Sequence, residues 1–377
     1  MNDVPTQSTN SFPANPANAV EAVDAVLHYA AALSASDAHL DPRPQDIWVR
    51  LRIDGELESV GSLPRRLHEE IIARLKILSG VRTDLHAVPQ DGRFRIALNG
   101  ADYNARISFM PTYRGENAVI RLLPVAPVAQ DTFAALGFTP EHVLTISQAL
   151  AAKNGLILVT GPTGSGKTTT LRVCLGLKAA EPLSIMTLED PVEYEVPGVR
   201  HVHIRHAQGV TFDAGLRAAL RQDPDVIMVG EIRDSETAHT AVHTALTGHL
   251  VLSTLHTTSA LESVLRLIDM GVEPYLLAAT LNLVISQRLV RVICNACGGN
   301  NEFCLLCRGS GFRGRYVLAE VLLVDDVLRQ LIADKASLQS MREHVLAKDF
   351  RTISLDAGEK VDWGVTTRSE VLKVLAE

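Results

Sequence analysis

Apolar and polar positions change rhythm twice along this 377-residue chain. Residues 1–19 are rich in Asn, Pro, Ser and Ala and offer little to pack, which predicts a disordered tail. Residues 20–33 follow in an alanine-rich helical pattern. Ile47, Val49, Leu51 and Ile53 then alternate with polar residues and run into Asp54-Gly55, the turn of a predicted strand pair. Residues 67–79 read as an amphipathic helix with Ile71, Leu75 and Leu78 on one face and Gly80 as its stop. Phe94, Ile96 and Leu98 alternate up to Asn99-Gly100. Tyr103, Ala105, Ile107 and Phe109 alternate after it, and a third run, 118–122, follows Arg114-Gly115. These elements predict an α+β domain over 20–124 with an antiparallel meander.

Prolines 124 and 127 mark an expected linker over 125–135. Beyond it, apolar runs at 156–160, 184–188, 226–229 and 250–254 alternate with helical stretches, so a parallel α/β core is expected. After residue 260 the pattern reads as mostly helical, interrupted by a cysteine cluster.

The first strand of that core carries the most specific signal. Leu156 to Val159 feeds Gly161, Pro162, Thr163, Gly164, Ser165, Gly166, Lys167, Thr168 and Thr169, and a helix follows. Strand, glycine loop and helix in this order match the phosphate-binding G-x-x-x-x-G-K-[ST] loop. Its backbone amides and the helix N-terminus cradle phosphate oxygens. Lys167 would neutralise the β- and γ-phosphates, and the Thr168 hydroxyl would ligate Mg²⁺. The expected ligand is a nucleoside triphosphate.

Four further segments surround this loop in the sequence reading. Glu189 and Asp190 end a predicted strand, where they would hold Mg²⁺ through water or orient the attacking water; a charged strand edge is the plainer reading. Residues 223–234 hold an apolar strand ending in Gly230-Glu231, with glycine where an aspartate is usual, leaving Glu231 to polarise water or to cap a helix. Arg217 and Arg221 share a helix face at i, i+4 spacing, to reach phosphate, bridge subunits or stay solvated. His249 and His256 bracket a strand, as a phosphate sensor or as satisfied polar groups.

Composition narrows the picture. A net charge of −7 argues against a dedicated nucleic-acid binder. No stretch has the order of a secretory signal, and no window reaches the ~18 apolar residues of a membrane span, so a cytoplasmic location is expected. Cys294, Cys297, Cys304 and Cys307 form two C-x-x-C knuckles whose spacing suits one tetrahedral Zn²⁺ with a structural role. Cys174 stands alone after the phosphate loop, as a small buried thiol.

Taken together, GPTGSGKTTT, TLEDPVEYE, DPDVIMVGEIRD and GHLVLSTLHT resemble the Walker A, aspartate-box, atypical Walker B and histidine-box motifs of the type II secretion and type IV pilus ATPases. ASDAHLDP, VRLRIDGEL, PQDGRFRI and the tail WGVTTRSEVLKVL are similar to that family too. The resemblance implies a RecA-like P-loop domain over 136–377, with a zinc-binding segment at 291–316 and C-terminal helices, preceded by a smaller PAS-like domain. It implies a hexameric ring that hydrolyses ATP, works on an inner-membrane platform protein at the membrane periphery, and drives pilus or pseudopilus assembly. A cytoplasmic recruiting domain of a membrane protein is a further expected partner; direct nucleic-acid contact is not. The same resemblance makes Glu231 the catalytic base, His249 and His256 the histidine-box residues, Arg106 and Arg121 arginines that approach the nucleotide, and Arg217 and Arg221 a further arginine pair. The family's assembly members carry an additional amino-terminal domain, whereas a tail of about twenty residues stands in its place here. The loop between the knuckles, six residues, is shorter than usual. The four cysteines favour the assembly arm over the retraction ATPases, and a DNA-transfer motor is the remoter alternative.

Overall fold

Residue 12 and residues 14–125, 132–348 and 350–376 are described by the computed structural model. Most of the tail expected over 1–19, and residues 126–131 of the expected linker, lie outside the described residues. The chain divides into two units, Met1–Ala126 and Pro127–Glu377.

In the first unit the elements are α1 (Ala19–Ala32), β1 (Asp37–Pro42), β2 (Asp46–Ile53), β3 (Glu56–Pro64), α2 (His68–Ser79), β4 (Gln90–Leu98), β5 (Ala101–Thr112) and β6 (Gly115–Pro124). The sheet order is β3-β2-β1-β6-β5-β4, antiparallel at every pairing. Two of the expected turns close as two-residue loops with both central residues at positive φ: Asp54-Gly55 (49° and 94°) and Asn99-Gly100 (51° and 82°). β1 is an element that the periodicity did not reveal. Its six residues, DAHLDP, mix charge and proline, yet it sits mid-sheet and buries Ala38 and Leu40. Leu27 of α1 and Ile71 and Leu75 of α2 pack with Leu40, Leu51 and Phe109 over one face of the sheet. Phe12, within the expected tail, packs edge-on against Tyr29 with centroids 5.6 Å apart.

A buried charge closes the segment between α2 and β4. Lys76 is fully buried; its Nζ donates to the Leu85 carbonyl and, at 2.8 Å, to Glu116 Oε2. His86 Nδ1 lies 2.7 Å from the same carboxylate oxygen.

In the second unit the elements are α3 (Pro140–Leu150), β7 (Gly155–Thr160), α4 (Lys167–Ala179), β8 (Ile185–Glu189), β9 (Val199–His203), α5 (Phe212–Ala219), β10 (Val226–Val229), α6 (Ser235–Leu246), β11 (Leu250–Leu255), α7 (Ala260–Asp269) and α8 (Pro274–Thr280). They continue with β12 (Leu281–Ile293), β13 (Phe312–Leu323), α9 (Asp326–Ala333), α10 (Leu338–Leu346), α11 (Ile353–Asp362) and α12 (Arg368–Leu375). The sheet order is β13-β12-β7-β11-β10-β8-β9, parallel from β12 to β9, with β13 antiparallel at one edge. The four expected strands are its centre. Every residue of β7, β10 and β11 is buried, as expected of parallel strands covered on both faces. Leu171 and Ile146 pack on one face, and Val242, Val264 and Leu277 on the other.

The mostly helical reading beyond residue 260 is corrected here. β12 and β13 are strands of 13 and 12 residues, and the cysteine segment is the excursion between them. Burial on both faces removed the alternation that marks a strand, and buried Ser286, Gln287 and Arg288 broke the apolar run. Helices α9 to α12 do follow them.

Replacing Glu116 with alanine leaves the Lys76 ammonium buried without its counter-charge. Denaturant unfolding followed by Trp48 fluorescence should report a loss of about 3–5 kcal/mol. The double variant K76M/E116L should recover most of it.

Candidate functional site

The C-terminal ends of β7, β8, β10 and β11 lie side by side, where open parallel sheets hold ligands. β7 ends at Thr160 and the chain enters the glycine loop at Gly161, whose φ of 142° suits glycine. A Cβ there would lie 2.3 Å from the Gln287 carbonyl oxygen of β12, so the loop runs as close to that strand as backbone allows. Gln287 is fully buried and secures the far side of the loop. Its Nε2 donates to the Ser165 carbonyl at 2.7 Å and its Oε1 accepts from Thr170 Oγ1 at 2.8 Å. In the sequence Gln287 reads only as a polar break in an apolar run.

Lys167 opens α4 and folds back over the loop, donating to the carbonyls of Gly161 (2.8 Å) and Pro162 (2.9 Å). Burial pushes its amine down to about 8; Glu231 opposes that shift and Arg288 adds to it. Thr163, Gly164 and Thr168 are exposed at the mouth, while Ser165 is buried. Behind the loop Cys174 is fully buried, and its thiol is pushed up to about 12, as for a packing residue.

Glu231 follows β10. Its Oε2 forms an ion pair with Arg233, 2.7 Å from Nε, and lies 3.5 Å from His256 Nε2. Gly230 stands where an aspartate is usual, and a Cβ there would lie 3.1 Å from the Leu188 carbonyl oxygen of β8, a tight contact. β11 clamps this strand end: Ser253 Oγ donates to Val229 O and Thr254 Oγ1 to Gly230 O, both at 2.7 Å. The turn after His256 is netted to β7, with Thr257 N donating to Thr160 Oγ1 at 2.9 Å.

Glu189 and Asp190 end β8 as expected. Glu189 is buried and engaged by Thr187 Oγ1 at 2.6 Å and His201 Nδ1 at 2.8 Å. Asp190 is more open and lies 3.5 Å from His206 Nε2. His201 went unnoticed because β9, five residues reading VRHVH, has little apolar signal.

Three expected site residues of this unit, His249, Arg217 and Arg221, are not brought to this strand-end cluster. His249 precedes β11 and so stands at the opposite end of the strand from His256, roughly 20 Å away at ~3.3 Å per residue. Its Nδ1 lies 3.2 Å from the Thr244 carbonyl oxygen. Arg217 donates to Asp213 at 2.9 and 3.1 Å and holds that carboxyl below the usual range. Arg221 donates to the Arg217 carbonyl at 3.0 Å, just before the N-terminal end of β10. Both are exposed. Arg106 and Arg121 belong to the first unit, where they face each other across β5 and β6. There Arg121 Nε donates to Asp37 Oδ1 at 2.9 Å.

The four cysteines form the second candidate centre. All four Sγ atoms lie within 4.8 Å of one another, with Cys294–Cys304 at 3.9 Å and Cys297–Cys307 at 3.6 Å. These spacings are far longer than a disulfide. They match the ~3.8 Å between sulfurs on a tetrahedral centre with Zn–S of about 2.3 Å. Hydrogen bonds to the Cys304 sulfur, led by the Cys307 amide, pull that thiol down to about 7 and favour a thiolate. The donor set and its geometry fit a closed structural metal site.

Among the described residues, no helix is long and apolar enough to cross a membrane. The family model described as "Type II/IV secretion system protein" matches residues 14–373. The chain is 39% identical to the type II secretion system protein HxcR of Pseudomonas aeruginosa, over 99% of this chain and 81% of that one. It is 41% identical to the type IV pilus assembly ATPase PilB of Thermus thermophilus, over 92% of this chain but 42% of that one. A crystal structure of the pilus retraction motor PilT with bound ADP superposes with a TM-score of 0.65 at 26% identity, covering 93% of this chain and 96% of that one. Motifs, fold and these relatives agree: the chain belongs to the type II/IV secretion system protein family, whose members include the type II secretion protein E and PilB ATPases.

Proposed function

We propose that this chain is a cytoplasmic ATPase of hexameric assembly, peripheral to the inner membrane, that couples ATP hydrolysis to building a pilus or pseudopilus. One observation carries the reading: the glycine loop, Glu231 and His256 meet at the ends of adjacent parallel strands in a chain of this family. The loop amides and Lys167 bind and orient the phosphates. Thr168 and Asp190 are the residues that would hold Mg²⁺, which neutralises charge building up on the phosphate oxygens. Glu231 accepts the proton of the attacking water, with Arg233 and His256 fixing its carboxylate. Glu189 keeps the end of β8 in place through His201. Arg106 and Arg121 approach the terminal phosphate, Arg217 and Arg221 reach phosphate or bridge copies of the chain, and His249 is the second histidine-box residue.

In this reading, cleavage moves the two units against each other, and an inner-membrane platform protein receives the motion. A cytoplasmic domain of a membrane protein recruits the ring. The cysteine centre holds Zn²⁺, which cross-links the segment between β12 and β13. The likeness to PilT keeps filament retraction as the second reading. Deleting the gene separates the two: loss of an assembly motor leaves no filaments, whereas loss of a retraction motor leaves them long and abundant.

Glu231→Gln should lower ATP turnover by at least ~10² while nucleotide binding persists. Unchanged turnover in that variant removes Glu231 from its role. For the cysteine centre, metal analysis of purified protein should find one zinc per chain, released by a strong chelator together with new protease sensitivity between β12 and β13. Cys304→Ser should do the same without chelator. Protein free of zinc whose protease pattern is indifferent to chelator would contradict this assignment.

A further inference from the structure

Strand β13 carries one acid in its sequence, Glu320, inside a run that is buried from Val317 to Leu322. A charge in such a place is costly unless it is well bonded. Both of its oxygens accept from main-chain amides: Oε1 from Ala260 N at 2.7 Å and Oε2 from Ile353 N at 3.3 Å. Those amides belong to the first residues of α7 and α11. Burial pushes the Glu320 carboxyl up, and the two amides and the Arg288 charge oppose that shift.

The helix starts explain the pairing. Ser259 caps α7 by accepting from Glu262 N, and Thr352 caps α11 by accepting from Leu355 N, both at 3.3 Å. Each cap serves the third amide of its helix and leaves the first in need of an acceptor. Glu320 supplies it twice, and the positive ends of two helices meet at one carboxylate.

Ala260 lies four residues beyond His256, and the turn between them is also held from β12. Ser286 Oγ and Arg288 Nη2 donate to the Thr258 carbonyl at 3.1 and 3.3 Å. Arg288 Nη1 donates at 3.1 Å to the Gln287 carbonyl, the oxygen that Gly161 passes. Helix α11 is fastened to β13 in its turn. Asp356 Oδ2 accepts from Ala319 N at 2.8 Å and from Lys360 Nζ at 2.7 Å, and Lys360 Nζ also donates to the Val317 carbonyl at 2.6 Å. The turn after His256 and the start of α11 thus hang from the two oxygens of a single planar group.

We propose that Glu320 is a positioning residue: it fastens the turn that carries His256 to the first turn of α11, so that nucleotide bound beside Glu231 is felt in the C-terminal helices. The inference rests on the reading of the strand-end cluster as the site of ATP cleavage. It adds the route by which that site reaches α11. A shift of His256 toward bound phosphate moves Ala260, and the carboxylate carries the displacement to Ile353. Glutamine at 320 keeps the size but offers one acceptor oxygen, so it releases one of the two amides. Ile353→Pro deletes the N–H at a helix position that suits proline and leaves Ala260 bonded.

Hydrogen exchange of the full chain reads the bridge, in the Glu231→Gln background so that bound ATP persists. In that chain ATP with Mg²⁺ should slow exchange over 161–168, 256–262 and 352–358. With Glu320→Gln or Ile353→Pro added, 161–168 should stay protected while the response at 352–358 is lost. With Glu231 intact, either substitution should lower kcat about tenfold, the size of one lost hydrogen bond to a charged group, and leave ATP affinity unchanged. In a His256→Ala background Glu320→Gln should lower kcat no further, as for residues acting in one chain of contacts. Protection at 161–168 without a response at 352–358 in the starting chain overturns the proposal, and so does a response that survives both substitutions. Equal losses in kcat and ATP affinity, or losses that multiply with that of His256→Ala, mark a general structural role and overturn it too. A chain that shows the exchange pattern yet cleaves no ATP sinks the ATPase reading alone.

Discussion

Close approach of two backbones sets the nucleotide site. Gly161 lies against the Gln287 carbonyl at a distance no side chain can share, and the Gln287 amide then ties down Ser165 and Thr170. The phosphate loop is thus held from β12 as well as from the strand and helix that flank it. Strand β12 could not come so near if it were a helix, so the long β12–β13 pair belongs to the site as well as to the edge of the sheet.

The same economy appears at the neighbouring strand ends. Hydroxyls of Ser253 and Thr254 hold the end of β10, and Thr160 holds the turn that carries His256. Glu231 therefore projects from a backbone fixed on both sides, with Arg233 and His256 limiting its rotation. Glycine at position 230 eases the close packing of this strand end against β8.

Much of this was legible in the residues. The glycine loop, the four central strands and the two glycine hairpin turns carry local signals that tertiary structure did not override. The cysteines were equally plain, because metal spacing is written in sequence order. What stayed hidden depends on long-range burial. β1 masks its two core residues among charges, and β12 and β13 lose alternation because both faces are covered. Gln287 looked like a polar break and is a buried clamp. His249 and His256 bracket a six-residue strand, so they stand at its opposite ends and only His256 comes near Glu231. Arginines 106 and 121 lie far apart in sequence, and only antiparallel register aligns them.

Central to this account is the claim that the strand-end cluster cleaves ATP and that the acting form is an assembly of chains. Inorganic phosphate release, measured against protein concentration at saturating ATP and Mg²⁺, addresses it most directly. The account predicts activity per chain that climbs as the protein is concentrated and levels once assembly is complete. Bound ATP with no phosphate released at any concentration, or a constant rate per chain down to the monomer, would contradict it.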